Sequence, residues 1–388
     1  MPPHMSAPAP APAPDAATLV HWTDDDGHAR QARWQSENGA PPPRRIVCID
    51  DRTPADTAYR LACEGTSLLW HGDFQNARQL LGAMARRLDK RPPRLPDELP
   101  QRFHQHRMWQ AQRARTLGRL LIELQPGYRL ELRRAPVVAE ACAAAGLPAD
   151  SPCLLSLREL QGLLGAGQWQ RKGVAIRALQ GAHIHPRYGV YSPVRGEYLD
   201  LVAQAPLPPG PAFDIGTGTG VLAAILARRG AHPVIATDLD ARALACAHDN
   251  LQRLGLLQAV TLQRADLFPP GQAAVIVCNP PWLPAKPGAP IEHALYDPDS
   301  RMLRAFLQGL PQHLLPGGEG WLILSDLAEH LGLRAPDDLT HWIEQAGLRV
   351  VQRHTARPQH PRAQAEQDPL HAARSREITS LWRLARQG

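Results

Sequence analysis

The feature that most constrains this chain is a strand that runs into a glycine turn and then into a helix. A short strand pattern at 212–215 leads into Gly216-Thr217-Gly218-Thr-Gly220, and a helical pattern follows. Glycines permit positive φ angles and a close backbone approach to a ligand, and the N–H groups that open the helix can hold an anionic group. The segment therefore predicts a strand–turn–helix unit with a small-molecule site at the turn.

The same turn is compatible with two other interpretations. Gly218-Thr-Gly220-Val-Leu-Ala223 also fits the G-x-G-x-x-A pattern of dinucleotide-binding folds. Glycine turns also occur between strands and helices that bind no ligand. The turn by itself therefore leaves the ligand open.

Acidic residues close the next two strands of the sequence. Residues 232–238 form a strand pattern that ends in Asp238, which is placed to take ribose hydroxyls, while Asp240 is typical of an N-cap for the helix that follows. A third strand pattern at 259–268 contains Asp266, which could accept from an adenine amino group or could be an ordinary turn residue. The order of these acids favours an adenosine-containing ligand.

The segment Asn279-Pro280-Pro281-Trp282 follows an apolar strand and indicates the chemistry. Two oxygens, the Asn279 side-chain oxygen and the Pro280 carbonyl, can accept both hydrogens of a planar amino group and favour a pyramidal, nucleophilic nitrogen. Consecutive prolines fix φ and end the strand, and Trp282 offers a flat face to a planar substrate. A proline turn with a buried tryptophan would explain the prolines but not the asparagine before them.

From about residue 185 to its end the chain resembles class I S-adenosylmethionine-dependent methyltransferases of the small methyltransferase domain group. Within that group it is most similar to HemK-type protein-glutamine N-methyltransferases. The likeness is carried by 188–202 with its Pro193 and Arg195, by the turn from Asp214, by the Asn-Pro-Pro-aromatic motif and by 294–303. The family usually has Tyr where this chain has Trp282.

The resemblance implies S-adenosyl-L-methionine as the cofactor and a methyl acceptor that is a planar amino nitrogen. Asn279, Pro280, Pro281 and Trp282 would form the catalytic segment. The cofactor residues implied are Arg195, Glu197, Asp214, Gly216, Thr217, Gly218, Gly220, Asp238, Asp266 and Asn279, with no metal. A protein glutamine amide is the acceptor by resemblance, an exocyclic amine of RNA or DNA is the alternative, and a non-catalytic nucleotide-binding module is a more remote one.

The order of elements predicts an α/β fold. By analogy with the fold of the family it resembles, we expect residues 185–388 to form a Rossmann-like, seven-stranded, mostly parallel sheet closed by a C-terminal antiparallel hairpin. A smaller α+β substrate-recognition region is expected at 19–184, including a β-hairpin at 120–134, and a disordered Pro/Ala tail at 1–18.

Length and composition limit the class of protein to which the chain can belong. The chain has 388 residues, and no apolar run is long enough to span a membrane. Its six cysteines are scattered without a C-x-x-C pair, so their spacing indicates neither a disulfide framework nor a zinc site. A cytoplasmic protein with reduced thiols is the expectation.

Charge is concentrated between residues 86 and 134. Thirteen basic residues and five acids give this stretch a net charge of +8, against +6 for the whole chain. Such a surface is typical of nucleic-acid contact, although solvated arginine faces have the same composition. The partner is therefore expected to be a macromolecule, protein or RNA, with the basic region as a possible contact for nucleic acid.

Overall fold

A computed structural model describes residues 18–288, 290–358 and 365–388. The tail expected at 1–18 lies outside the described residues except for Thr18, and so does His360 in the last long loop. Contacts between Cα atoms divide the chain into two units. The first comprises the described residues up to Ser36, Ala40–Asp89 and Arg115–Leu160, and the second comprises Glu37–Gly39, Lys90–Ala114 and Gln161–Gly388.

The second unit contains the expected sheet. Its seven strands are β9 Ala212–Ile215, β10 Val234–Asp238, β11 Val260–Arg264, β12 Ala273–Cys278, β13 Leu314–Ser325, β14 Leu348–Ala356 and β15 Thr379–Arg386. They lie in the order β11-β10-β9-β12-β13-β15-β14. Strands β9 to β13 are parallel to one another, whereas β15 is antiparallel to both β13 and β14.

Helices of the second unit cover this sheet. They are α6 Glu197–Gln204, α7 Val221–Arg228, α8 Ala241–Arg253, α9 Arg301–His313, α10 Leu327–His330, α11 Asp338–Gln345 and α12 His371–Arg374. One group of buried side chains, including Ile225 and Val277, packs on one side, and another, including Phe306 and Leu322, packs on the other. The short helix α12 stands between the closing strands, where the sequence indicated a loop. The predicted seven-stranded, Rossmann-like α/β fold with a smaller N-terminal part is confirmed.

The first unit is built on a six-stranded mixed sheet. Its strands are β1 Leu19–Thr23, β2 Ala29–Trp34, β3 Ile46–Ile49, β4 Ser67–Trp70, β5 Leu120–Leu124 and β6 Cys153–Ser156, and they lie in the order β1-β2-β6-β5-β4-β3. The helices of this region of the sequence are α1 Ala55–Cys63, α2 Phe74–Asp89, α3 Leu99–Leu117, α4 Ala139–Ala144 and α5 Leu157–Lys172, followed by the short strands β7 Val174–Ala175 and β8 His183–Ile184.

The prediction of a β-hairpin at 120–134 is wrong. Strand β5 forms as predicted, but its antiparallel partner is β6. The two arms of the expected hairpin meet at an isolated bridge between Gln125 and Arg129, whereas Arg133 bridges to Asp73. Tyr128 and Arg134 have positive φ angles of 60° and 51°, so this segment is not extended. Arg134 instead donates to the buried carboxylate of Asp73 at 2.6 Å.

The division by contacts differs from the boundaries expected at 19–184 and 185–388. Residues 161–184 group with the seven-stranded sheet, and so do 90–114, which include most of helix α3. Phe103 on that helix is buried together with Leu327 and Leu331. The basic helix is thus part of the unit that carries the glycine turn.

Candidate active site

The carboxyl ends of four adjacent strands bring the expected site residues to one edge of the sheet. Asp214 lies in β9 and the glycine turn follows it. Asp238 ends the neighbouring strand β10, and Asp266 lies two residues beyond β11. On the other side of β9, Cys278 of β12 pairs in register with Ile215, so Asn279 lies next to Gly216.

Asp214 links the strand to the helix of this turn. Its Oδ2 atom accepts hydrogen bonds from the Thr217 hydroxyl at 2.6 Å and from the Ala223 N–H at 2.9 Å. Its Oδ1 atom is buried and has no hydrogen-bond partner among the described residues. Burial raises the pKa of Asp214 to about 7, and the nearby Asp238 adds to the rise. A buried, partly unsatisfied carboxylate is suited to an ammonium group.

The glycines of the turn have different environments. A Cβ atom on Gly220 would come within 3.1 Å of the Ala247 side chain, so this glycine permits close packing of α7 against α8. A Cβ atom on Gly218 would meet nothing within 4 Å, which leaves open space over the turn. Gly218 therefore marks the place where a ligand can approach the backbone.

Asp238 is positioned by backbone donors at the end of β10. Its Oδ2 atom accepts from the Gly218 N–H at 3.0 Å and its Oδ1 atom from the Asp240 N–H at 2.9 Å. Burial raises the pKa of Asp238, while these two N–H groups oppose the rise. Asp240 caps α8 as expected, since its carboxylate accepts from the Arg242 N–H at 2.8 Å. Asp266 is exposed, and its contact with adenine stays a prediction.

Asn279 and Trp282 contact each other directly. The Trp282 indole N–H donates to the Asn279 Oδ1 atom over 2.9 Å. An amide oxygen has two lone pairs, so this bond orients the oxygen and leaves one lone pair for a substrate N–H. Pro280 is buried, and its fixed φ angle favours the turn of the chain after β12.

Arg195 and Glu197 belong to an ion-pair cluster beside Trp282. The Arg195 guanidinium carbon lies 4.9 Å from the centroid of a Trp282 ring. Its Nε atom donates to Glu197 at 2.9 Å and its terminal nitrogens donate to Glu377 at 3.0 Å. The Ser325 hydroxyl donates to the same oxygen of Glu377 at 2.7 Å. The structure thus brings Arg195 and Glu197 close to the acceptor motif. Their expected roles in binding the cofactor stay predictions.

Sequence reasoning missed Glu377 and Met302. Glu377 precedes β15 and is separated from Arg195 by 182 positions, so no local pattern joins them. Met302 has its terminal methyl 3.2 Å from where a Cβ of Gly216 would stand. Asp297 fixes the start of α9 beside it, since its carboxylate oxygens accept from the N–H groups of Met302 and Leu303. The resemblance over 294–303 was the available signal for this segment.

The chain is similar to known proteins over part of its C-terminal half. Residues 200–334 match the family model of the methyltransferase small domain. Together with the sheet order, the glycine turn and the Asn-Pro-Pro-Trp segment, this match identifies residues 200–334 as part of a class I S-adenosylmethionine-dependent methyltransferase domain.

Within that class the domain is similar to the release factor glutamine methyltransferase of Cereibacter sphaeroides. The two are 37% identical over 153 residues, which cover 36% of this chain and 52% of that protein. The tRNA1(Val) (adenine(37)-N6)-methyltransferase of Vibrio cholerae is 31% identical over 40% of this chain and 66% of its own length. A ribosomal protein L11 methyltransferase of Geobacter metallireducens is 30% identical over 37% and 52%. The chain thus spans from about half to two thirds of these relatives.

No helix among residues 18–288, 290–358 and 365–388 is both long enough and apolar enough to cross a bilayer.

Proposed function

We propose that this protein transfers a methyl group from S-adenosylmethionine to the side-chain amide nitrogen of a glutamine in a protein substrate. The observation that carries the proposal is Asn279, held by Trp282 at the carboxyl end of β12, beside the glycine turn that follows β9. The relative with 37% identity is named for the same reaction on a release factor. A cytoplasmic location, where translation factors and reduced thiols occur together, stays our expectation.

The residues around the glycine turn fit the cofactor. The unsatisfied Oδ1 atom of Asp214 can accept from the methionine ammonium group, and the open space over Gly218 leaves room for the methionine portion. Asp238 keeps one lone pair on each oxygen for ribose hydroxyls after its two backbone contacts. S-adenosylmethionine supplies an electrophilic methyl group on a sulfonium sulfur when it is bound.

The acceptor segment then prepares the nitrogen. The free lone pair of Asn279 Oδ1 and the Pro280 carbonyl accept the two N–H hydrogens of the substrate amide. These bonds strengthen as the nitrogen becomes pyramidal and its lone pair leaves the amide plane, so they stabilise the transition state more than the ground state. Trp282 holds the Asn279 oxygen in place, and its ring offers a face to the flat amide.

An exocyclic base amine is the second acceptor to consider, and the 31% identity to a tRNA adenine-N6 methyltransferase favours it. The basic region gives it less support than its net charge suggests. Arg107 donates to Glu292 and to the Lys286 carbonyl, and Arg134 pairs with Asp73. Arg91 and Arg94 are exposed and are better placed for phosphate contact.

The two acceptors are separated by product analysis. Purified protein is incubated with methyl-labelled S-adenosylmethionine and a translation extract, and the label is followed through protease digestion, ribonuclease digestion and mass spectrometry. We expect N5-methylglutamine in the protein fraction, and an Asn279→Ala control whose rate of labelling is lower by about 100-fold or more although it binds S-adenosylhomocysteine. Label in N6-methyladenosine would replace the glutamine assignment with the base-amine one. In that case Arg91→Gln with Arg94→Gln should flatten the log–log salt dependence of RNA binding by about two units.

A further inference from the structure

Three metal-ligating side chains of different chemistry meet in the first unit. The Asp25 carboxylate, the Cys48 thiol and the His71 imidazole place their ligand atoms within 4.8 Å of one another. We call these residues the Asp25–Cys48–His71 cluster. They come from three segments of the chain, and none of them takes part in the methyltransferase site.

Strand register explains why Cys48 and His71 lie together. Strands β3 and β4 are parallel, and Cys48 pairs with Leu69. Side chains alternate along a strand, so Cys48, Leu69 and the position two residues beyond Leu69 point to the same face. That position is His71, whose backbone N–H is fixed by the Ile49 carbonyl at 2.9 Å.

The β1–β2 hairpin supplies the third side chain. Val20 and Trp22 of β1 and Ala32 of β2 are buried together with Leu69 and Leu121, so the hairpin packs on the face that carries Cys48. Asp25 lies in the turn of this hairpin, between Thr23 and Ala29. The packing of the hairpin thus delivers a carboxylate to the thiol and the imidazole.

The three side chains are free to bind a metal. None of them donates or accepts a hydrogen bond through its side chain within the ranges that the structure describes. A second group in the same turn, Asp24, Asp26 and His28, is different. There the Asp24 carboxylate already accepts from the N–H groups of Asp26 and His28 and from the Arg30 guanidinium.

The charges around the cluster favour a cation. Glu123 of β5 is on the same face, since its neighbour Leu121 pairs with Leu69, and it lies beside His71. The carboxylates of Asp25, Asp24 and Glu123 all lie near the Cys48 thiol. Two arginines lie nearby, and each is paired with a carboxylate outside the cluster: Arg30 with Asp24 and Arg52 with Asp50. A bound dication would relieve this excess of negative charge and convert the thiol to its thiolate.

The donor set selects the metal. Zinc binds thiolate, imidazole and carboxylate at about 2.0–2.3 Å in a tetrahedral arrangement, which places ligand atoms roughly 3.5 Å apart. Spacings within 4.8 Å are brought to that value by small side-chain rotations. We propose that Asp25, Cys48 and His71 bind a zinc ion with a fourth position open to water, and that this ion ties the β1–β2 hairpin to the face of the sheet.

Cobalt substitution tests this proposal on the full chain. The reduced, chelator-treated protein is titrated with Co²⁺. We expect one equivalent to bind with a thiolate-to-cobalt charge-transfer band and the intense visible absorption of a tetrahedral site, both removed by added Zn²⁺. Cys48→Ser should abolish the charge-transfer band, whereas the control Cys63→Ser, at an exposed cysteine outside the cluster, should keep it.

A second variant guards against loss of folding in Cys48→Ser. His71→Asn lies at an exposed position and should weaken Co²⁺ binding by about 100-fold or more, because losing only the hydrogen-bond partner of a ligand already costs about 10–100-fold. A charge-transfer band that survives Cys48→Ser, or equal affinity in His71→Asn and wild type, would overturn the proposal. Affinity for S-adenosylhomocysteine should be the same with and without chelator, so failure here leaves the proposed methyltransferase function standing.

Discussion

The methyltransferase site and the Asp25–Cys48–His71 cluster are both built at the ends of parallel strands, but their residues reach those ends in different ways. In the first, the candidate residues Asp214, Asp238 and Asn279 lie at or next to the carboxyl ends of their own strands, so Asp238 and Asn279 are visible as strand-end residues in the sequence. In the second, the carboxylate of Asp25 arrives only because the β1–β2 hairpin, which forms one edge of the six-stranded sheet, packs its side chains against the face that carries Leu69. The comparison teaches that a site shows in the sequence when the fold needs only strand order, and stays hidden when it needs tertiary packing.

The largest effect that separates the two regions is expected for Asn279→Ala. Turnover should fall about 100-fold or more, because the variant loses an acceptor that matters most in the transition state. Initial rates of labelled methyl transfer measure this effect. Affinity for S-adenosylhomocysteine and for Co²⁺ should both stay near wild type. Undiminished turnover would remove Asn279 from the acceptor site.

Asp238→Ala should act on cofactor binding. Loss of a charged hydrogen-bond partner costs about 1–3 kcal/mol, equivalent to roughly 5–150-fold in affinity for S-adenosylhomocysteine measured by calorimetry. Asp240→Ala is the matched control, since it removes only the cap of α8 and should reduce the free energy of unfolding by about 1 kcal/mol with little change in affinity. Equal losses of affinity in the two variants would mean that Asp238 supports the local structure and does not contact the cofactor.

The cofactor site should also respond to pH through Asp214. Burial raises the pKa of this carboxyl to about 7, so below pH 7 it is largely protonated and cannot offer a full negative charge to an ammonium group. Affinity for S-adenosylhomocysteine should therefore rise as the pH increases toward about 7, by up to about tenfold per pH unit, and then level off. Calorimetry between pH 5.5 and 8 tests this, with those limits chosen to lie about one unit or more on each side of the midpoint. If the pH dependence of affinity is the same in Asp214→Asn, a group other than Asp214 causes it.

The smallest effect is expected for Trp282→Phe. This variant keeps an aromatic face but removes the N–H that orients the Asn279 oxygen. Turnover should fall by about 3–10-fold, in line with the roughly 0.5–1.5 kcal/mol that one hydrogen bond contributes, with unchanged affinity for S-adenosylhomocysteine. Trp169→Phe, at an exposed tryptophan, serves as the control. A wild-type rate in Trp282→Phe would show that the ring alone matters.

The sequence predicted the sheet of the second unit because its signals are local. Each strand is a short apolar run with a turn or cap behind it, as in Ala273–Cys278 before Asn279. The pairing of Arg195 with Glu377 could not be predicted, since it depends on how β15 lies beside β13. The hairpin expected at 120–134 failed for the same reason. The alternation of apolar residues was present, but Asp73, from another part of the chain, competes for Arg134 through an ion pair.

Helix α3 changes how the catalytic domain can be treated as a module. A protein fragment that begins at residue 185 would contain every residue of the family match, which begins at residue 200. It would nevertheless lack Phe103, which is buried against Leu327 and Leu331, and Arg107, whose guanidinium stacks 3.8 Å from the Tyr296 ring centroid. Removing a buried phenylalanine costs about 3–5 kcal/mol, a large share of the stability of a typical domain. Transplanting this activity onto another protein therefore requires the graft to carry a helix encoded well before the sequence motifs begin.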